Sequence, residues 1–289
     1  MSKVIFEKLL ILGVGLIGGS LAMAAKQAGA VGEVRGWGRR QSSLDEALAL
    51  GVIEQAETDL ERALEGVDCV VIATPTQFAA QLMVDVVQRV PASVVVTDVA
   101  SVKGNIAAAL TKQFGQVPAN VVLGHPIAGS EQSGVAAASA DLFVGQRVIL
   151  AAQEQTAPAA LQAIESLWRA TGADLHAMSA EFHDQVLGMT SHLPHLLAYA
   201  LVAYLSDQPS SSDIFALTGG GFRDFTRIAG SDPRMWREIS VANDKALLEA
   251  ISGFEKQLAE LKKNITDSNG PALEALFAQA KAARDQHMG

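Results

Sequence analysis

The first half of the chain alternates short β-rich runs with segments of helical period. Residues 9–12 (LLIL), 34–37, 69–73 (CVVIA), 94–97, 121–123 and 147–151 read as strands, most of them apolar throughout. Residues 16–28, 44–50, 78–87, 105–114 and 159–170 carry the three-to-four-residue apolar spacing of helices that face a sheet. Strands without a polar face are buried on both sides, which predicts a parallel sheet covered by helices above and below. From Ser179 onward the pattern changes, and helical spacing dominates over residues 180–189, 196–205, 235–254, 255–264 and 272–284. Loops are expected at 206–212, 219–221 and 268–271. The predicted architecture is a doubly wound α/β domain over residues 1–175 followed by an all-α domain over 176–289.

Composition narrows the class. A chain of 289 residues accommodates two ordinary domains. With 49% hydrophobic and 18% charged residues it is no disordered polymer. The single cysteine, Cys69, excludes a disulfide scaffold or a cysteine-rich metal site and fits a reducing compartment. Lys plus Arg number 22 and Asp plus Glu 31, a net charge of −9, which argues against general nucleic-acid affinity but permits a local cationic pocket. The uncharged stretch from Leu9 to Ala25 has the look of a secretory leader, but Gly13, Gly15, Gly18 and Gly19 interrupt it, and glycine disfavours the helix a leader forms. No other run of about 18 uncharged apolar residues is expected, so no membrane span is predicted and the location expected is cytoplasmic.

The glycines have a better reading. Gly13-Val14-Gly15-Leu16-Ile17-Gly18 is G-x-G-x-x-G, with a strand before it, a helix after it and a second strand about 20 residues on. The first glycine allows the tight turn, the second lets a pyrophosphate approach, and the third lets helix and strand pack closely. Gly13, Gly15, Leu16, Ile17 and Gly18 are therefore expected to hold a dinucleotide, with Thr74, at the carboxyl end of the 69–73 strand, in the same crevice. A Rossmann-type sheet follows. The second strand ends in Trp37-Gly38-Arg39-Arg40, without the acid that would bind the 2′-hydroxyl of NAD. Arg39 and Arg40 suit a 2′-phosphate, because guanidinium pairs with phosphate through a fork. NADP is favoured, with NAD as the alternative.

Three further segments carry chemistry: Asp98-Val99-Ala100-Ser101-Val102-Lys103 and Gly124-His125-Pro126-Ile127-Ala128-Gly129-Ser130-Glu131, each after a strand, and in the helical half Ser191-His192-Leu193-Pro194-His195 with the 219–236 segment GGGFRDFTRIAGSDPRMW. Ligands of open α/β sheets sit beyond the carboxyl ends of the strands, so Ser101 and His125 should face the crevice. An imidazole with its ordinary pKa near ~6.5 suits proton transfer at neutral pH. Ser101 also reads as the cap of the helix that follows, and Lys103 as a surface residue in its first turn. Asp232-Pro233 reads as a helix start, with Trp236 as a pocket wall. His192 and His195 lack a third ligand nearby, and no metal is expected.

These five motifs, in this order over almost the whole chain, resemble the prephenate/arogenate dehydrogenase (cyclohexadienyl dehydrogenase) family. The resemblance implies a nucleotide-binding domain with a helical dimerisation domain, hence a homodimer. It implies NAD(P)-dependent oxidative decarboxylation of prephenate to 4-hydroxyphenylpyruvate, or of arogenate to tyrosine. It assigns His125 and Ser101 to catalysis, and Arg227 to a substrate carboxylate. It places His195 and Ser191 in the substrate pocket, with Glu131 and Asp224 helping to close it. Arg223, four residues before Arg227, would share its helical face. Two alternatives differ from this reading. A β-hydroxyacid dehydrogenase would need a lysine in the second domain's glycine-rich helix, yet none follows Gly219–Gly221 until Lys245. A non-catalytic NADP sensor would have no use for His125, Ser101, His195 and Arg227 in one crevice.

Overall fold

The computed structural model describes residues 4–129 and 132–288. Eight strands, β1 (Phe6–Leu12), β2 (Val31–Trp37), β3 (Gln55–Glu57), β4 (Cys69–Ile72), β5 (Val95–Asp98), β6 (Val121–Pro126), β7 (Arg147–Ala151) and β8 (Asp174–Ala177), form one sheet in the order β3-β2-β1-β4-β5-β6-β7-β8. Helices α1 (Leu16–Gln27), α2 (Gln41–Ala49), α3 (Leu60–Ala63), α4 (Thr76–Arg89), α5 (Gly104–Phe114) and α6 (Pro158–Ala170) accompany it. Along β1, Leu9 and Ile11 enter one apolar cluster with Leu21, Val34 and Trp168, while Leu10 and Leu12 enter another with Met83 and Ile106. Alternate residues of one strand feed both layers, which is why the run had no polar face.

The sheet departs from the expected pattern at its far side. β1 to β6 run parallel with their neighbours, but β7 pairs antiparallel to β6, and β8 runs parallel to β7. The β6–β7 connection carries only the 3₁₀ turn Val135–Ala137 among its described residues, so no long crossover helix brings the chain back parallel. β3 (QAE) and β8 (DLHA) were not foreseen. Both are short, polar edge strands, which lack the apolar signature of the centre and resist edge-to-edge pairing for the same reason.

Helices make up the rest: α7 (Ala180–Leu187), α8 (Leu193–Ser206), α9 (Ser211–Ala216), α10 (Gly220–Thr226), α11 (Pro233–Ala242), α12 (Asp244–Thr266) and α13 (Gly270–Met288). The helix expected over 235–254 is broken at Asn243, whose backbone leaves the helical region at φ −108° and ψ 35°. Pro194 lacks an N–H, and the turn before it, Gly188–His192, widens to π geometry between α7 and α8. The expectation of no second membrane-length apolar run does not hold. Residues 186–206 contain no Asp, Glu, Lys or Arg, and the continuous helical run Ala180–Ser206 is long and apolar enough to cross a bilayer. In this fold it packs against α10 and α12. Val102 in the β5–α5 turn packs with Trp236 and Ile239 of α11, which seats the helical layer over the carboxyl ends of the strands.

Candidate active site

The glycine turn after β1 is shaped for an anion. Gly13 lies at φ +100°, and a Cβ there would stand 2.7 Å from the Ala73 carbonyl oxygen. A Cβ on Gly18 would collide with the Gly13 carbonyl and with Ile11, so the third glycine lets α1 press onto β1. Gly15, by contrast, faces open space, and α1 begins there with no side-chain cap and no acid in its first turn. Its free N–H groups and dipole attract negative charge. Half-buried Leu16 and Ile17 are its first residues. Thr74 Oγ1, at the end of β4, is buried without a hydrogen-bond partner among the described residues. These residues fit a dinucleotide pyrophosphate. Arg39 and Arg40 are both exposed, and the Arg39 guanidinium lies 4.5 Å over the Phe78 ring.

The turn after β5 overturns the surface reading of Lys103. The lysine is fully buried and ion-paired with Asp98, also fully buried. Lys103 Nζ donates to the Gly124 carbonyl at 2.6 Å, while Asp98 accepts from the backbone N–H of Ala100 (3.0 Å) and Gly124 (3.2 Å). The pair thus staples the end of β5 to β6, beside His125. A lysine in an amphipathic first turn gives no hint of this, because its partner lies five residues back across the turn. Ser101 is half-buried, and Lys103, not Ser101, occupies the cap position of α5.

His125, near the end of β6, is buried, with Nδ1 2.8 Å from Nε2 of His183. His183 Nδ1 in turn lies 2.7 Å from Asp184 Oδ1, and the Asp184 carboxylate accepts from the backbone N–H of Lys103 (2.9 Å) and Gly104 (2.7 Å). Sequence reading missed His183 and Asp184. Their one signal was a polar His-Asp pair on the buried face of an apolar helix. Burial, and then electrostatic interaction with His183, Lys103 and His192, push the His125 pKa well below the usual histidine value, so the ring is neutral at pH 7. This corrects the expectation of an unperturbed imidazole.

The two histidines around Pro194 separate. His192 is 1% exposed, its Nδ1 accepting from the Asn243 side chain at 3.0 Å; the same amide donates to the Asp184 carbonyl at 2.8 Å. This explains the break at Asn243. Burial drives the His192 pKa down to about 4, against the opposing pull of Asp184. His195 is half-buried, stacks on Trp236 at 3.6 Å between ring centres, and donates from Nδ1 to the Ser191 carbonyl at 2.9 Å. Burial lowers its pKa, the Ser191 carbonyl opposes this, and the nearby Arg227 charge adds to the lowering. Ser191 therefore contributes its backbone. Trp236 is 6% exposed, and its indole N–H has no partner among the described residues. Asp232 caps α11 by accepting from the Arg234 N–H at 2.7 Å, as expected from Asp-Pro.

Arg227 and Asp224 are exposed. α10 ends at Thr226 and Arg227 opens the 3₁₀ turn Arg227–Gly230, so Arg223 and Arg227 do not share one α-helix. Glu131 lies outside the described residues. The structure brings His125 together with His183, Asp184, Lys103 and Asp98, and groups His195 with Ser191, Trp236 and Arg227, the two groups meeting through His192, which faces Trp236 and shares Asn243 with Asp184.

Both buried histidines affect stability in the same direction. A histidine whose folded pKa lies below its unfolded value of 6.5 binds fewer protons in the native state. Stability is complete above pH 6.5 and declines as pH falls toward the folded value. For His192 alone the loss at pH 5 is about 2 kcal/mol, and His125 adds to it. The urea midpoint should therefore drop between pH 7.5 and pH 5 at constant slope. A flat midpoint would show that the two rings protonate freely in the folded state.

An anion-ready helix end and a buried, neutral imidazole, both at the carboxyl edge of the parallel strands of one sheet, suit dehydrogenation with a nicotinamide dinucleotide. Comparison with known proteins makes the class specific. Residues 21–177 match the family described as prephenate dehydrogenase, nucleotide-binding domain, and residues 179–279 match prephenate dehydrogenase, dimerization domain. The cyclohexadienyl dehydrogenase of Zymomonas mobilis is 32% identical over 283 residues, spanning 97% of this chain and 96% of that protein. Prephenate dehydrogenase from A. aeolicus, solved with hydroxyphenyl propionate and NAD+, superimposes with a TM-score of 0.89 at 35% identity, covering 99% of each chain. Arogenate dehydrogenase from Synechocystis gives a TM-score of 0.84 at 28% identity, covering 97% of this chain and all of that one. The chain belongs to the prephenate dehydrogenase family.

Proposed function

We propose that this protein is an NAD(P)-dependent dehydrogenase that oxidatively decarboxylates prephenate, arogenate or both in tyrosine biosynthesis. The observation that carries this is the neutral, buried His125 at the carboxyl end of β6, on the same edge of the sheet as the dinucleotide turn that follows β1. A dinucleotide held by the Gly13–Gly18 turn and Thr74 would supply the hydride acceptor for the ring carbon that bears the hydroxyl. His125 takes the hydroxyl proton, which pushes electrons toward that carbon. The ring carboxylate then departs as carbon dioxide, and its bonding pair enters the ring as it becomes aromatic. The phenolate oxygen left behind recovers the proton from His125, so the protein ends each turnover unchanged.

The remaining roles follow from position and family. Ser101 binds the substrate hydroxyl. Arg227, beside His195, pairs with a carboxylate, for which its forked guanidinium is suited. His195 and the Ser191 turn form the pocket wall with Trp236, and Glu131 and Asp224 close it. Gly13, Gly15, Leu16, Ile17, Gly18 and Thr74 hold the dinucleotide, and Arg39 with Arg40 favours NADP. The nucleotide-binding part gives way to the helical part between β8 and α7. The helical part leaves Tyr204, Leu217, Val241 and Leu248 more than 60% exposed. Apolar exposure of this kind supports a homodimer, and the composition suits the cytoplasm.

The test follows NAD(P)H absorbance with prephenate, arogenate and a 3-hydroxyacid, using each cofactor, for the wild type and for Arg39→Ala with Arg40→Ala. Turnover is expected with at least one cyclohexadienol and not with the 3-hydroxyacid. The double variant should raise KM for NADP about 10- to 100-fold through lost charged hydrogen bonds, and leave that for NAD nearly unchanged. Turnover of the 3-hydroxyacid alone would overturn the reading. Equal effects on both cofactors would remove the arginines from the 2′-phosphate.

A further inference from the structure

We propose that His183 and Asp184 are positioning residues, a relay that makes Nε2 of His125 the basic atom and shares the charge His125 acquires. Asp184 is 8% exposed and accepts from two backbone N–H groups, which can only donate. It acts as an acceptor throughout, so the proton in its 2.7 Å contact with His183 sits on His183 Nδ1. With its single ring proton held on Nδ1 by Asp184, His183 presents Nε2 to His125 as a lone pair. The 2.8 Å contact with His125 is then a hydrogen bond only if His125 donates from Nδ1. One atom remains, Nε2 of His125, and it carries the free lone pair.

The surroundings enforce this order. A Cβ on Gly104 would stand 2.6 Å from Asp184 Oδ2, so the carboxylate's seat at the start of α5 requires glycine. Asn243 holds the Asp184 carbonyl and the His192 ring from the break before α12. Of the charged groups facing His125, Lys103 is neutralised by Asp98 in the β5–α5 turn, and His192 is uncharged near neutral pH. Asp184 is thus the anion left to balance a protonated His125, reached through His183. When the substrate O–H bond breaks and the Nε2–H bond forms, His125 keeps its Nδ1–H on His183. Partial transfer along the two ring contacts moves positive charge toward Asp184. After carbon dioxide leaves, the Nε2 proton returns to the phenolate oxygen, and the relay resets.

The kinetic side of this proposal rests on the dehydrogenase reading above; the tautomer does not. The experiment labels the six histidines with ¹⁵N and records ring nitrogen shifts of the unliganded protein, alongside kcat and kcat/KM against pH. In the wild type, His125 should show a protonated Nδ1 and an unprotonated Nε2. His183→Phe fills the space but removes the acceptor, while Asp184 keeps its backbone bonds. His125 should then shift toward the Nε2–H tautomer, with kcat falling about 100-fold and KM little changed; a histidine in the wrong tautomer is a poor base. His183→Gln retains an acceptor oxygen and should keep the wild-type tautomer at about a tenth of the activity. Its acid limb in kcat/KM should move to lower pH, because the imidazolium has lost its link to Asp184. A wild-type spectrum with Nε2 protonated would overturn the proposal, as would wild-type kcat in both variants. Should the wild type turn over no cyclohexadienol, the substrate reading fails while the ¹⁵N pattern still decides the relay.

Discussion

Replacing His125 with Asn should lower kcat by about 10²- to 10⁴-fold while dinucleotide binding persists, the range expected when a general base is lost. Asn is chosen because its amide can still donate toward His183, as Nδ1 does, so the neighbouring pair keeps its partner while the basic nitrogen disappears. The glycine turn and Thr74 are built from β1, α1 and β4, not from β6, so a dinucleotide titration should give the wild-type Kd. Steady-state turnover measured beside that titration separates the two effects. Wild-type kcat would remove His125 from the chemistry. Loss of dinucleotide binding would mean that the strand end had moved.

The second large effect concerns stability. Lys103→Met should destabilise the fold by about 3–5 kcal/mol, because it leaves the Asp98 carboxylate buried and without its cation. Adding Asp98→Asn should recover part of the loss, since the amide needs no counter-charge. The exposed Lys263–Asp267 pair on α12 is a suitable control, since surface pairs of that spacing contribute only about 0.3–0.5 kcal/mol. Urea unfolding of the three variants measures all of this. A loss below about 1 kcal/mol for Lys103→Met would show that water reaches Asp98 and solvates it. The pair also holds the chain on either side of His125, so the same substitution should reduce turnover.

The parts of the fold that sequence reveals are those set by local pattern. The central strands were legible because both faces are buried, so runs such as Leu9–Leu12, Cys69–Ile72 and Val121–Leu123 are apolar on both sides. The glycine turn was legible because Gly13 needs a backbone conformation, and Gly18 a close approach, that other residues resist. Edge strands β3 and β8 escaped notice because an edge is safer when polar. The antiparallel β7 escaped because the direction of a strand depends on its connection, not on its own residues. Nor could the 3.6-residue rhythm reveal the break at Asn243, where a side chain leaves the helix to serve His192 and Asp184.

The candidate site divides along the same line. His125 and Ser101 were visible because they follow strands, where an open sheet gathers its ligands. Lys103 was misread, since a lysine is ordinarily solvated and only a buried carboxylate reverses that. His183 lies 58 residues from His125 and Asp184 lies 81 from Lys103, so no spacing rule joins them. The sequence by itself determined the class of fold, the dinucleotide turn and the family, because these depend on backbone conformation and on contiguous motifs. Only the tertiary structure decided how His125 is buried, which of His192 and His195 is enclosed, and which groups hold the imidazole. Burial and hydrogen-bond partnership are properties of the space between distant segments, and no single segment encodes them.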